Sequence, residues 1–173
     1  IVGVYTFAAT FAEGFSQISF VVRKSVDPLI GEYFSSKDNK SIEYLSNKIK
    51  SRFLPAMFFL SSIFAAIFPV FQYFIADNFP LWQAHQILII ILFGVVINSG
   101  YRPFLGILLQ GGRPELHSLL VFLILSFNII GNYYLIPIVG IYGAAITTSF
   151  AFILESFLIV FFSKKVFNLK LVY

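Results

Sequence analysis

Apolar residues gather in five long stretches, at about residues 1–22, 53–75, 85–109, 115–136 and 141–163. A helix needs about 20 mostly apolar residues to cross roughly 30 Å of hydrocarbon, so each stretch is predicted to be a membrane-spanning helix. Interruptions are few. Glu13 is the only charge in the first stretch, Pro55 and Pro69 lie in the second, Arg102 and Pro103 come late in the third, and Glu155 lies in the fifth. Gln110-Gly111-Gly112-Arg113-Pro114 links the third and fourth stretches, and Pro137-Ile138-Val139-Gly140 links the fourth and fifth. Such short links predict antiparallel neighbours. Pro114 suits a first helical turn, and Pro137 is predicted to end the fourth helix.

The longest polar stretch is 23–52. Asp38 is a candidate N-cap for a helix running into the second span. Ile42, Leu45 and Ile49 follow at helical spacing among lysines. Two readings fit: a helix lying at the membrane surface before it turns in, or a solvated charged loop. Asn39-Lys40-Ser41 matches a glycosylation triplet, but its segment is expected to be cytoplasmic.

Composition strengthens the membrane reading. The chain is 58% hydrophobic and 12% charged, against roughly 25% charged in soluble domains. The net charge of +4 does not point to nucleic acid, because the basic residues lie between apolar stretches and form no polar face. Their placement follows the positive-inside rule. Arg23, Lys24, Lys37, Lys40, Lys48, Lys50 and Arg52 fall in 23–52, Arg102 and Arg113 near the next alternate end, and Lys164, Lys165 and Lys170 in the tail. The segment 76–84, with Asp77 and Trp82, has no Lys or Arg, and 137–140 is uncharged. The basic ends and the C-terminus are therefore expected in the cytoplasm, with the chain starting outside. Because it opens at Ile1 in an apolar run without signal-peptide features, it is expected to be part of a longer protein whose missing part lies upstream. With no cysteine, disulfides and thiolate sites are excluded. Two isolated histidines, His85 and His117, do not make a metal site, and no cofactor is expected.

The polar residues inside the spans are the candidate chemistry. Glu13 should face a water-filled cavity or a partner, with Gln17 one turn along; it is either a proton- or sugar-sensing group or a buried structural carboxyl. Arg102 either snorkels to the headgroups or grips a diphosphate, for which its planar fork is suited; Asn98 lies one turn away. Glu155 is a candidate for pairing with a cation of another helix, Arg102 among them. Asn128 and Asn132 share one helix face and can bond to a neighbouring helix. Gly140, Gly143, Ala144 and Ala145 predict close approach of the last two helices.

The segment Asn128-Ile-Ile-Gly-Asn132-Tyr-Tyr-Leu135-Ile136-Pro137-Ile-Val-Gly140-Ile-Tyr-Gly143-Ala144-Ala145 resembles a signature of polysaccharide exporters, the O-antigen flippases of the Wzx type. These belong to the multidrug/oligosaccharidyl-lipid/polysaccharide flippase superfamily, which is MATE-like. Val2-Gly3-Val4-Tyr5-Thr-Phe-Ala-Ala and Asp27-Pro28-Leu-Ile are similar to further segments of its second half. The resemblance implies an all-α polytopic protein of two lobes, with residues 1–173 forming five transmembrane helices and most of the C-terminal lobe. The rest, including the N-terminal lobe, would be partner within the same chain. It implies no enzyme but a transporter in the bacterial inner membrane, moving polyprenyl-diphosphate-linked oligosaccharide between leaflets for cell-surface polysaccharide. Alternatives are a multidrug exporter of the same superfamily and a membrane enzyme of polysaccharide assembly; for the latter the short outer segments offer little reactive chemistry.

Overall fold

The computed structural model describes residues 2–75 and 81–171. Six α-helices follow one another: α1 Val2–Ser35, α2 Asn39–Ile75, α3 Leu81–Ser99, the one-turn α4 Ile107–Gln110, α5 Pro114–Val139 and α6 Ile141–Phe167, with a 3-10 turn Arg102–Phe104 between α3 and α4. No strand occurs among the described residues. Among the described residues four helices, α2, α3, α5 and α6, are long and apolar enough to cross a membrane. α1 is not apolar enough to count with them, because Thr6, Thr10, Glu13, Ser16, Gln17 and Ser19 run through its first part.

α3 packs against α1, α2 and α6, and α5 packs against α6. Lipid gives no hydrophobic drive between helices, so close packing and small residues must hold them together. Ala8, Ala12, Ala84 and Ala145 are fully buried. A Cβ added at Gly94 would lie 2.5 Å from the Ser149 carbonyl oxygen, and one at Gly143 would lie 2.6 Å from the backbone of Leu135. The predicted approach of the last two helices is therefore present. Outward faces are apolar: Phe58, Phe59, Ile63 and Ile67 on α2, and Phe122, Leu125, Ile129 and Ile130 on α5.

The basic ends meet at one end of the bundle. Asp27 lies against Gly106 and Gln110 against Gly31. The Phe34 and Phe167 rings are 4.8 Å apart, and the Lys170 N–H donates to Glu43 at 2.7 Å.

Several sequence expectations need correction. The segment 23–52 is not a solvated loop: α1 continues into it as far as Ser35, and the helix anticipated after Asp38 is present as α2, which begins at Asn39 and continues through the second apolar stretch to Ile75. Asp38 does cap α2, accepting the Ser41 N–H at 3.1 Å. The third span was expected to reach residue 109 but ends at Ser99. Pro103 has no N–H to continue the α-helical hydrogen-bond ladder, and the chain tightens into the 3-10 turn. Pro137 does not end α5, which continues to Val139 and stops at Gly140 with φ 63°. There the left-handed conformation suits glycine. Asp77 lies outside the described residues.

Candidate functional site

The break after α3 creates the site. Asn98 sits on the last turn of α3, and its carbonyl accepts the Tyr101 N–H at 2.9 Å, which starts the reversal. Arg102 then lies in the 3-10 turn, with its side chain directed back toward α6. There Glu155 and Ser156 are buried. Asn98 Nδ2 donates to Glu155 Oε2 at 2.8 Å, Arg102 Nη1 donates to the same oxygen at 3.4 Å, and Ser156 Oγ donates to Asn98 Oδ1 at 3.2 Å. Arg102 also lies 5.6 Å from the Phe152 ring centre. Ser16 and Ser19 of α1 border the same gap.

Glu155 is 7% and Arg102 24% exposed at the side chain. The carboxylate is thus held inside while the guanidinium reaches its edge. An arginine carries five donors in a planar fork, so one bonded to a carboxylate retains donors for an anion arriving from outside.

Along the helices the cluster falls between two apolar regions. Val4, Ala8, Ile87, Ile91 and Ala145 pack on one side, and Val26, Ile30, Phe104, Leu108 and Ile159 on the other. Beside it, a cleft of about 360 Å³ opens between α5 and α6, with Glu155, Asn128 and Thr148 among its walls. The Tyr5 and Thr148 hydroxyls are 3.2 Å apart and tie the start of α1 to this cleft.

Glu13 and Gln17 are elsewhere. Both are exposed, on a face of α1 that also carries Thr6 and Thr10, while Ser16 and Ser19 turn inward. The structure therefore joins Asn98, Arg102 and Glu155 and leaves Glu13 with Gln17 on a separate surface. Asn132 Nδ2 donates to Asn128 Oδ1 at 3.0 Å, so these amides bond to each other along α5, where a bond across to a neighbouring helix was expected. His85 Nε2 lies 2.9 Å from the Ala65 carbonyl, tying α3 to α2. The sequence reading missed Ser16, Ser19 and Ser156. Small hydroxyls three apart on the buried side of a polar helix were the available signal.

A second polar group closes the basic end. Arg23 donates to Asp27 at 3.3 Å, and the other carboxylate oxygen of Asp27 is buried without a hydrogen-bond partner. Burial raises the Asp27 pKa above its ordinary value, and Arg23 opposes the rise. Among the described residues, no three of His, Asp and Glu gather as a metal ion would require.

The chain is similar to an uncharacterised membrane protein of Methanocaldococcus jannaschii, 32% identical over 152 residues. The match covers 86% of this chain but only 29% of the relative's length. No protein-family profile matches the chain, and no solved structure does. The relative and the four apolar helices give a multi-pass membrane location.

Proposed function

We propose that the chain is most of one lobe of a flippase that carries polyprenyl-diphosphate-linked oligosaccharide across the bacterial inner membrane by alternating access. One observation carries the reading: the exposed face of α1 begins with a polar stripe of Thr6, Thr10, Glu13 and Gln17 before turning apolar at Ile18, Phe20 and Val21, while the exposed faces of α2 and α5 are mainly phenylalanine, leucine and isoleucine. A carboxylate facing hydrocarbon costs about 3 kcal/mol or more. The stripe is accounted for when α1 is a fifth span facing a water-filled cavity, closed on its far side by a second lobe of the same protein. The relative, much longer than the matched stretch, leaves room for one.

In this reading Arg102 binds the diphosphate. Glu155 neutralises Arg102 while the cavity is empty and yields part of its hold when phosphate oxygens arrive. The polar stripe of α1, on its separate surface, offers hydroxyls, the Gln17 amide and the Glu13 carboxylate to the sugar as it crosses, and the prenyl tail stays in lipid. Transport needs no covalent chemistry. The basic ends and the C-terminus face the cytoplasm, where the substrate is loaded.

The test is deletion of the full-length gene in its host, with lipid-linked oligosaccharide and drug susceptibility measured together. Complete repeat units trapped on the cytoplasmic face support the flippase. Normal glycolipid with increased drug sensitivity rejects it in favour of a multidrug exporter, which the largely apolar α5–α6 cleft would suit.

A further inference from the structure

Away from this site, α2 and Val22 of α1 border an open surface groove of about 400 Å³ near the basic end of the bundle. Val22 of α1 forms one side. The other is a single face of α2, with Leu45, Lys48, Ile49, Arg52, Phe53 and Ala56 at helical spacing. Lys48 and Arg52 are exposed and lie four residues apart, where like charges on a helix repel. Neither pairs with a carboxylate among the described residues. Glu43, one turn before, is engaged by the Lys170 N–H, and Lys50 turns away and is buried over the Tyr101 ring at 4.3 Å.

The depth of the groove matters as much as its charge. Val22 and Phe53 are the residues at which the long apolar stretches of α1 and α2 meet the polar segment. The cations therefore stand at headgroup level and Ala56 at acyl level. Beyond Ala56 the same face continues outward through Leu60, Ile63 and Ile67, all exposed. A floor of aliphatic side chains, a pair of unneutralised cations at its polar end and an apolar strip leading away match a phospholipid in shape and charge.

We propose that the α1–α2 groove binds one anionic glycerophospholipid from the leaflet on the basic side. Its phosphate lies between Lys48 and Arg52, and its first acyl carbons lie against Val22, Phe53 and Ala56. A zwitterionic lipid offers the same tails but leaves the two cations without net compensation, so the site selects for headgroup charge. This site needs no second lobe and no glycolipid, and it stands whether or not the flippase reading does.

The test is native mass spectrometry of the full-length protein in neutral detergent, titrated with phosphatidylglycerol and phosphatidylcholine. One phosphatidylglycerol should be retained in preference to phosphatidylcholine. The double variant Lys48→Ala/Arg52→Ala should lower that retention about 30-fold, on the order of fivefold for each basic residue at an anionic surface. Ala56→Trp, which fills the acyl end and keeps both cations, should also lower it, and Lys37→Ala/Lys40→Ala at the nearby turn should not. Unchanged retention in either groove variant overturns the proposal. An equal loss in the Lys37/Lys40 variant shows diffuse charge only and also overturns it. Absence of a preferred phosphatidylglycerol in the unmodified protein, as when other parts of the protein cover the groove, overturns it as well.

Discussion

Glu155 and Glu13 are both carboxylates in helices, and the structure gives them opposite settings. Glu155 Oε2 accepts from Asn98 and Arg102 together, so Glu155→Ala strands a cation and an amide at once. Removing one partner of a fully buried pair costs about 3–5 kcal/mol. Arg102 keeps some contact with its surroundings at 24% exposure, so a loss of roughly 2 kcal/mol is expected, read as unfolding of the purified protein in detergent. Arg102→Leu combined with Glu155→Ala should recover part of that loss, since no charge is then left alone. A double variant whose loss equals the sum of the singles would show that the two side chains do not act as a pair. Glu13 is exposed with no comparable contacts. Glu13→Gln should therefore shift stability by less than about 0.5 kcal/mol while transport by the full-length protein falls. Unimpaired transport in a folded Glu13→Gln protein would remove Glu13 from the cavity.

Elements are held by small residues and ended by special ones. Gly94→Ala drives a methyl into the Ser149 backbone and Gly143→Ala drives one into that of Leu135. Backbone cannot swing aside as a side chain can, so each should destabilise by about 1–3 kcal/mol. Gly14→Ala meets open space and should instead stabilise α1 by up to about 1 kcal/mol; thermal unfolding of the three variants would separate these signs. The start of α2 carries a pH dependence. Bonds from the Ser41 hydroxyl and N–H hold the Asp38 carboxyl below its ordinary value of 3.8. A depressed pKa contributes stability that is present above the unfolded value and lost as pH falls through the folded one. Hydrogen exchange at residues 39–42 should therefore quicken only below about pH 4, and Asp38→Asn should abolish that step. The Asp38 cap, the Pro114 start of α5 and the Gly140–Ala145 approach were legible in the sequence because each is a local rule. The end of α3 was not. Leu105 and Ile107–Leu109 prolong the apolar run past Ser99, and hydropathy does not register that Pro103 has broken the hydrogen-bond ladder beneath it. The meeting of Asn98 with Glu155 was equally hidden, since 57 residues separate them and only the packing of α3 on α6 joins them, although Arg102 with Glu155 was among the pairings anticipated from charge.

At the scale of the molecule, the path of α1 decides what its polar stripe faces. Its 34 residues extend about 50 Å at 1.5 Å per residue, more than the roughly 30 Å of hydrocarbon. A helix that crosses and then projects into the aqueous phase accounts for this length. So does a helix lying against the bundle at one membrane face, and composition alone favours that second arrangement because α1 is less apolar than the other long helices. Packing favours the first. Val4, Ala8 and Ala12 are buried against the part of α3 that holds Ile87, Ile91 and Val95, and α3 is itself apolar enough to cross. α1 runs alongside α3 over that depth, so an α3 that crosses takes α1 across with it. With no cysteine in the chain, single cysteines can locate the ends. Ser36→Cys lies at the α1–α2 turn, Ile138→Cys at the 75% exposed end of α5, and Gly3→Cys in open space at the start of α1. In intact cells expressing the full-length protein with any other cysteines replaced, an impermeant maleimide should label Gly3→Cys and Ile138→Cys and spare Ser36→Cys until the membrane is opened. Protection of Gly3→Cys together with Ser36→Cys, while Ile138→Cys still reacts, would keep α1 on the basic side. The polar stripe would then face water outside the bilayer, and the lobe-facing cavity would lose its wall.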